Sequence, residues 1–139
     1  MNPRKPIIYF VEDDADDRAL LRQAFHRIPG CSLQLFASSE QFYRHMLSLD
    51  TEAQLPTLIV LDFNMPIING GELLLRLKRE EHLREIPVAV YSTGMLPILE
   101  ETLRSYGASH CFVKATDYAG MEKMAQELLQ LAALQSVAH

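Results

Sequence analysis

In this sequence the residues able to do chemistry stand where apolar runs stop. Glu12, Asp13 and Asp14 follow the run Pro6–Val11, and Asp62 closes the run that begins at Thr57. Ser92 follows Val88–Tyr91, and Lys114 follows Cys111–Val113. Brought together, such carboxylates repel one another and cost free energy until a cation neutralises them. A hard divalent ion with oxygen ligands meets that need. Mg²⁺ suits it, because it keeps several waters and uses only one or two carboxylates. A hydroxyl and an ammonium beside that pocket are what a transferring phosphoryl group requires: positive charge on its equatorial oxygens and a hydrogen-bond donor. Taken singly these residues say little, since strand-end acids are commonly solvated, a Ser is a common turn residue and a Lys is usually exposed. Their meaning depends on convergence, and convergence depends on the elements that carry them.

Those elements alternate along the chain. Pro6–Val11 is a continuous apolar run rich in β-branched and aromatic residues, the pattern of a strand buried on both faces. Leu20, Leu21, Ala24, Phe25 and Ile28 recur at helical spacing, which predicts a helix from Ala19 to Ile28 stopped by Pro29-Gly30. Asp16 and Asp17 lie where an N-cap and first turn favour acids. Cys31–Phe36 reads as a second strand, Ser38 to about Leu49 as a helix, and Thr57–Asp62 as a third strand after a polar loop from Asp50 to Leu55. A helix is expected from Gly71 to His82 with Leu74 and Leu77 inward, then a fourth strand Val88–Tyr91. A helix from about Pro97 to Tyr106, a short strand Cys111–Val113 and a last helix from about Ala119 to Leu134 complete the chain. Met121, Met124, Ala125, Leu128 and Ala132 form the core stripe of that last helix.

Strands alternating with helices call for an α/β domain, a parallel sheet doubly wound with helices on both faces. Right-handed crossovers leave few topologies, and for five strands the flavodoxin-like order 2-1-3-4-5 is the commonest. Ligands bind such sheets beyond the carboxyl ends of the strands where the order reverses, here between the first and third strands. Glu12-Asp13-Asp14 and Asp62 end those two strands. A length of 139 residues fits a single domain spanning 1–139, with its core over about 6–134.

Bulk properties narrow the function. A formal net charge of −5, without a stripe of Lys and Arg, argues against a nucleic-acid backbone binder. The apolar run after the basic start is too short for a signal-peptide core or a membrane span, so no membrane association is expected and the cytoplasm is the expected compartment. Cys31 and Cys111 have neither zinc nor disulfide spacing and read as buried thiols in a reducing compartment. Gly70-Gly71 lacks the spacing of a phosphate-binding loop. The histidines, His26, His45, His82, His110 and His139, have no metal or triad partner in sequence and read as ordinary surface or core residues.

The set Val11-Glu12-Asp13-Asp14, Asp62-Phe63-Asn64-Met65-Pro66 followed by Gly70, Ile86-Pro87-Val88 leading to Ser92, and Gly107-Ala108 leading to Lys114 resembles the receiver domain of bacterial two-component response regulators. The resemblance runs from about Ile7 to Leu134, and it is to stand-alone, CheY-like regulators. It implies that Asp62 is phosphorylated by a histidine kinase, a phosphotransfer protein or a small phosphodonor. It implies Mg²⁺ on Asp13, Asp62 and the backbone carbonyl of Asn64, with Glu12 acting through water. Lys114 would pair with the phosphoryl group. Ser92 would move toward that group and pass the change to the face of helix 4, strand 5 and helix 5, which could also support a homodimer where the alternative is a monomer. Asn64 and Gly94 stand where the family tunes dephosphorylation.

Two positions depart from the pattern. Ala115 follows Lys114 where the family usually carries a proline with a cis bond, and a non-proline cis bond costs about 2.5–4 kcal/mol. Cys111 stands where an aromatic residue usually swings with the Ser or Thr, while Phe112 falls on the opposite strand face. The expected function is therefore a signalling phosphoacceptor acting through an unknown downstream protein, not an enzyme on a free metabolite. Two alternatives stand beside it. One is a degenerate receiver that binds partners without phosphorylation; the other is an aspartyl-phosphate phosphohydrolase, whose second acid is replaced here by Asn64. On helix 1, Arg18, Leu21, Arg22 and Phe25 are candidate kinase contacts.

Overall fold

The computed structural model describes residues 5–51 and 55–138; the basic start through Arg4, the middle of the polar loop after helix 2, and His139 lie outside the described residues. Among the described residues five strands alternate with five helices: β1 (Ile7–Val11), α1 (Ala15–His26), β2 (Ser32–Phe36), α2 (Ser39–Ser48), β3 (Leu58–Asp62), α3 (Gly70–Arg79), β4 (Val88–Ser92), α4 (Pro97–Ser105), β5 (His110–Val113) and α5 (Tyr118–Ala138). The strands form one sheet in the order β2-β1-β3-β4-β5, every pair parallel. The expected α/β topology is the one observed.

The sheet divides its side chains by the strand period of two. Tyr9, Val11, Ile59, Leu61, Val88 and Val90 pack on one face with Phe42, Met46, Leu73, Leu74 and Leu77 of α2 and α3. Ile8, Phe10, Leu58, Val60, Ala89 and Tyr91 pack on the other with Leu21, Phe25, Met124 and Leu128 of α1 and α5. Every residue of β3 and β4 is buried, which is why those runs are apolar without alternation. At the edge, β2 instead exposes Ser32 and Gln34. The core stripe expected in α5 is buried throughout.

Several boundaries and exposures differ from the sequence reading. Helix α1 starts at Ala15 rather than Ala19, because Asp14 caps it by accepting the Asp17 N–H at 2.8 Å. Its first turn carries acids and no apolar stripe, so periodicity alone misses it. Leu21 and Phe25 face the core at 0% and 6% exposure and so are not contacts for a kinase; exposed Arg22 and half-buried Arg18 remain on the outer surface. Both cysteines are free and half-buried rather than buried. Burial pushes the Cys31 thiol up to about 11 and raises Cys111 as well. The Lys114–Ala115 bond is trans, since there is no cis peptide bond among the described residues.

Candidate functional site

The site is built at the carboxyl edge of the sheet, where β1, β3, β4 and β5 end side by side. The backbone N–H of Glu12 donates to the Phe36 carbonyl at 3.0 Å, which carries the β2 pairing one residue past β1 and turns the Glu12 side chain inward. Arg18 of α1 donates to the Glu12 carbonyl at 2.9 Å and fixes the same turn from outside. Glu12 is fully buried, whereas Asp13 and Asp14 are exposed. Across the β1–β3 junction Asp62 is buried, with its Oδ1 accepting the Asn64 N–H at 2.9 Å. Carboxylate oxygens of Glu12, Asp13 and Asp62 all lie within 4.8 Å of one another. The three acids expected at a cation site are thus brought together by strands remote in sequence.

The loop after β3 is held close by a glycine. The Gly70 N–H donates to the Phe63 carbonyl at 3.2 Å, and a Cβ on Gly70 would meet the Asp62 carbonyl oxygen at 2.7 Å. Only a residue without a side chain lets α3 begin this near the Asp62 backbone. In the same loop Ile67 has φ 67° and is 88% exposed, a left-handed conformation that a β-branched residue adopts only under constraint.

Lys114 enters from the end of β5, where its N–H donates to the Ser92 carbonyl at 2.8 Å. Its ammonium lies 2.9 Å from Asp17, 3.0 Å from Glu12 and 3.6 Å from Asp62. Asp17 is therefore part of the site. The sequence assigned it to the helix dipole of α1, which it also serves, and the first-turn position is what lets it reach Lys114. Ser92 is buried and donates to Asn64 Oδ1 at 3.1 Å. That oxygen also accepts the Thr93 N–H at 3.2 Å, so Asn64 ties the β3–α3 loop to the β4–α4 loop. One further residue escaped the sequence reading. Tyr91, fully buried beside Ser92 in sequence but on the opposite face, donates its hydroxyl to Glu12 Oε1.

The electrostatics follow from four carboxylates sharing one ammonium. Burial pushes the Asp62 carboxyl up to about 6, with Glu12 adding to the rise and the Asn64 N–H and Lys114 opposing it. Asp13, though exposed at the rim, is also raised, by partial loss of hydration there and by the neighbouring Glu12 carboxylate. Burial raises Glu12 too, but hydrogen bonds from Tyr91, the Asp14 N–H and Lys114 outweigh it and hold the carboxyl below its usual range. Burial lowers Lys114, yet its bonds to Asp17 and Glu12 and the nearby charges leave it raised and firmly protonated. The arrangement is one ionised, tightly held carboxylate and one buried carboxylate that is costly to ionise without more positive charge. Its all-oxygen donor set and uncompensated negative charge fit a hard divalent cation.

On the opposite faces of β5, Cys111 packs toward α4 with Leu103 and Leu99, while Phe112 packs toward α5 and stacks on His110 at 6.3 Å. No aromatic ring of β5 therefore shares the Ser92 face, as the strand period required.

Comparison with known proteins bears on the same elements. The family model described as the response regulator receiver domain matches residues 8–128. The two-component response regulator ARR7 of Arabidopsis thaliana is 27% identical over 128 residues, covering 86% of this chain and 61% of that protein. The chain thus spans somewhat less than two thirds of that relative's length. A two-component response regulator from Legionella pneumophila superposes with a TM-score of 0.73 at 26% identity, covering 91% of this chain and 98% of the other. The Mn²⁺-bound form of response regulator Rcp1 gives a TM-score of 0.76 at 22% identity over 88% and 91% of the two chains. Among the described residues no helix is long and apolar enough to cross a membrane.

Proposed function

The chain belongs to the response regulator receiver family, and from that premise we propose that Asp62 accepts a phosphoryl group from a histidine kinase or phosphotransfer protein and signals through the partners it then binds. The observation that carries this reading is the gathering of Glu12, Asp13 and Asp62 oxygens within 4.8 Å, with the Lys114 ammonium 3.6 Å from Asp62. A buried carboxylate at the mouth of an acidic pocket, with a cation against it, has the chemistry of an activated nucleophile.

In the transfer an Asp62 oxygen attacks phosphorus, the bond from phosphorus to the donor nitrogen breaks, and the donor imidazole keeps that electron pair and takes up a proton. Asp13, Asp62 and the backbone carbonyl of Asn64 would hold Mg²⁺. When bound, Mg²⁺ supplies positive charge to the clustered carboxylates and to the equatorial phosphoryl oxygens. Glu12 acts through water in this scheme, and its oxygens, engaged by Tyr91, Lys114 and the Asp14 N–H, favour that indirect role. Lys114 stabilises the charge that builds on the phosphoryl group. The Ser92 hydroxyl turns from Asn64 to a phosphoryl oxygen, which loosens the tie between the β3–α3 and β4–α4 loops. With Cys111 in place of the usual ring, that loosening is the first step of output here. The domain works in the cytoplasm and turns over no free metabolite.

Beryllofluoride, which mimics an aspartyl phosphate, provides the test. With Mg²⁺ it should produce a saturable change in the ¹⁵N NMR spectrum centred on Asn64, Ser92, Thr93 and Lys114, and Asp62→Asn should abolish it. A wild-type spectrum that does not respond would sink the proposal.

A further inference from the structure

We propose that Tyr91 is a positioning residue of the phosphorylation site, whose hydroxyl keeps Glu12 satisfied so that Lys114 can change partners. The inference rests on the phosphoacceptor reading of Asp62 and deepens it. Glu12 is a carboxylate with no solvent exposure and therefore needs donors. Its Oε2 takes the Asp14 N–H at 3.0 Å, and its Oε1 is shared by the Tyr91 hydroxyl and the Lys114 ammonium at 3.0 Å. Lys114 stands nearer to Glu12 and Asp17 than to Asp62. To engage a phosphoryl group on Asp62 it must give up contact with Glu12. A buried carboxylate stripped of its partner resists that step strongly. Tyr91 remains behind as the second donor to the same oxygen, so the carboxylate is never left bare.

The phenol is well placed for this. Its ring is locked edge-on against Phe10 at 5.2 Å, so the hydroxyl cannot follow Lys114. The Lys114 ammonium lies 5.4 Å from the ring centroid and keeps a cation–π contact as it shifts. A phenylalanine would retain the packing and lose only the hydrogen bond. Ionised Glu12 would then hold Lys114 more tightly.

The test compares Tyr91→Phe in the wild-type and Glu12→Gln backgrounds, reading beryllofluoride affinity at saturating Mg²⁺ by ¹⁹F NMR and Mg²⁺ affinity by calorimetry. In the wild-type background beryllofluoride affinity should fall about tenfold, as expected for losing a hydrogen bond to a charged group, with Mg²⁺ affinity little changed. In the Glu12→Gln background, where no anion retains Lys114, the same substitution should cost less than about twofold. Unchanged affinity in Tyr91→Phe overturns the inference. So does an equal loss in both backgrounds, which would mark a packing role. A Tyr91→Phe chain that fails to fold also overturns it, because the hydroxyl would then serve the core. Failure of wild-type protein to bind beryllofluoride defeats the parent reading instead, so the two failures are distinct.

Discussion

Asp62→Asn should stabilise the metal-free protein. The Asp62 carboxyl, whose ordinary value is 3.8, is pushed up to about 6 in the fold, chiefly by burial, and its residual exposure is 1%. Raised in the folded state, this acid contributes no penalty below the unfolded-state value. The penalty builds as pH climbs from about 4 to about 6 and is complete above that window. At pH 8 the difference amounts to about 3 kcal/mol against folding. An Asn keeps the oxygen that accepts the Asn64 N–H and removes the charge, so the variant should gain about that much at pH 8 and less than about 1 kcal/mol at pH 4. Urea unfolding followed by far-UV circular dichroism in EDTA at both pH values measures it. Adding Mg²⁺ at about a hundred times its dissociation constant should return about 2.7 kcal/mol to the wild type, while the variant should gain far less. If Asp62→Asn is no more stable than wild type at pH 8 without metal, or if the gain is the same at pH 4, the account of a costly buried carboxylate is wrong.

Two further perturbations probe the loop that carries the site. Gly70→Ala should destabilise the fold by about 2 kcal/mol and weaken beryllofluoride binding, because its Cβ would press on the Asp62 carbonyl at 2.7 Å and on the Phe63 backbone at 2.9 Å; equilibrium unfolding and ¹⁹F NMR report both effects. Ile67→Asn should stabilise the protein by about 1 kcal/mol, since φ 67° suits Asn and the 88% exposed side chain gives up little burial; a thermal melt that falls instead would show that Ile67 is not strained.

Much of this protein was legible from strand ends alone. The run Thr57–Asp62 is apolar without alternation because β3 is buried on both faces, and it stops at the one residue of the strand that is acidic. Glu12, Ser92 and Lys114 were readable for the same reason: parallel strands put all their carboxyl ends on one edge, so position along the chain became position in space. The period of two likewise separates Cys111 from Phe112 onto opposite faces of β5. The missed residues depend on distances that no local pattern encodes. Leu21 and Phe25 are the exception: they belong to the apolar stripe that marks α1 in sequence, and an amphipathic helix turns that stripe to the core, which excludes them as surface contacts. Asp17 reads as a first-turn acid until α1 docks beside α5 and the long Lys114 side chain, entering from the end of β5, comes within 2.9 Å of it. Tyr91 reads as one more core aromatic in β4, because a hydroxyl says nothing about its partner. Its meeting with Glu12 exists only because β3 lies between β1 and β4, and a tyrosine is long enough to cross that width. Sequence determined which groups share the edge of the sheet; tertiary packing decided which of them touch, how far each is removed from water, and so which carboxylate is held ionised and which is costly to ionise.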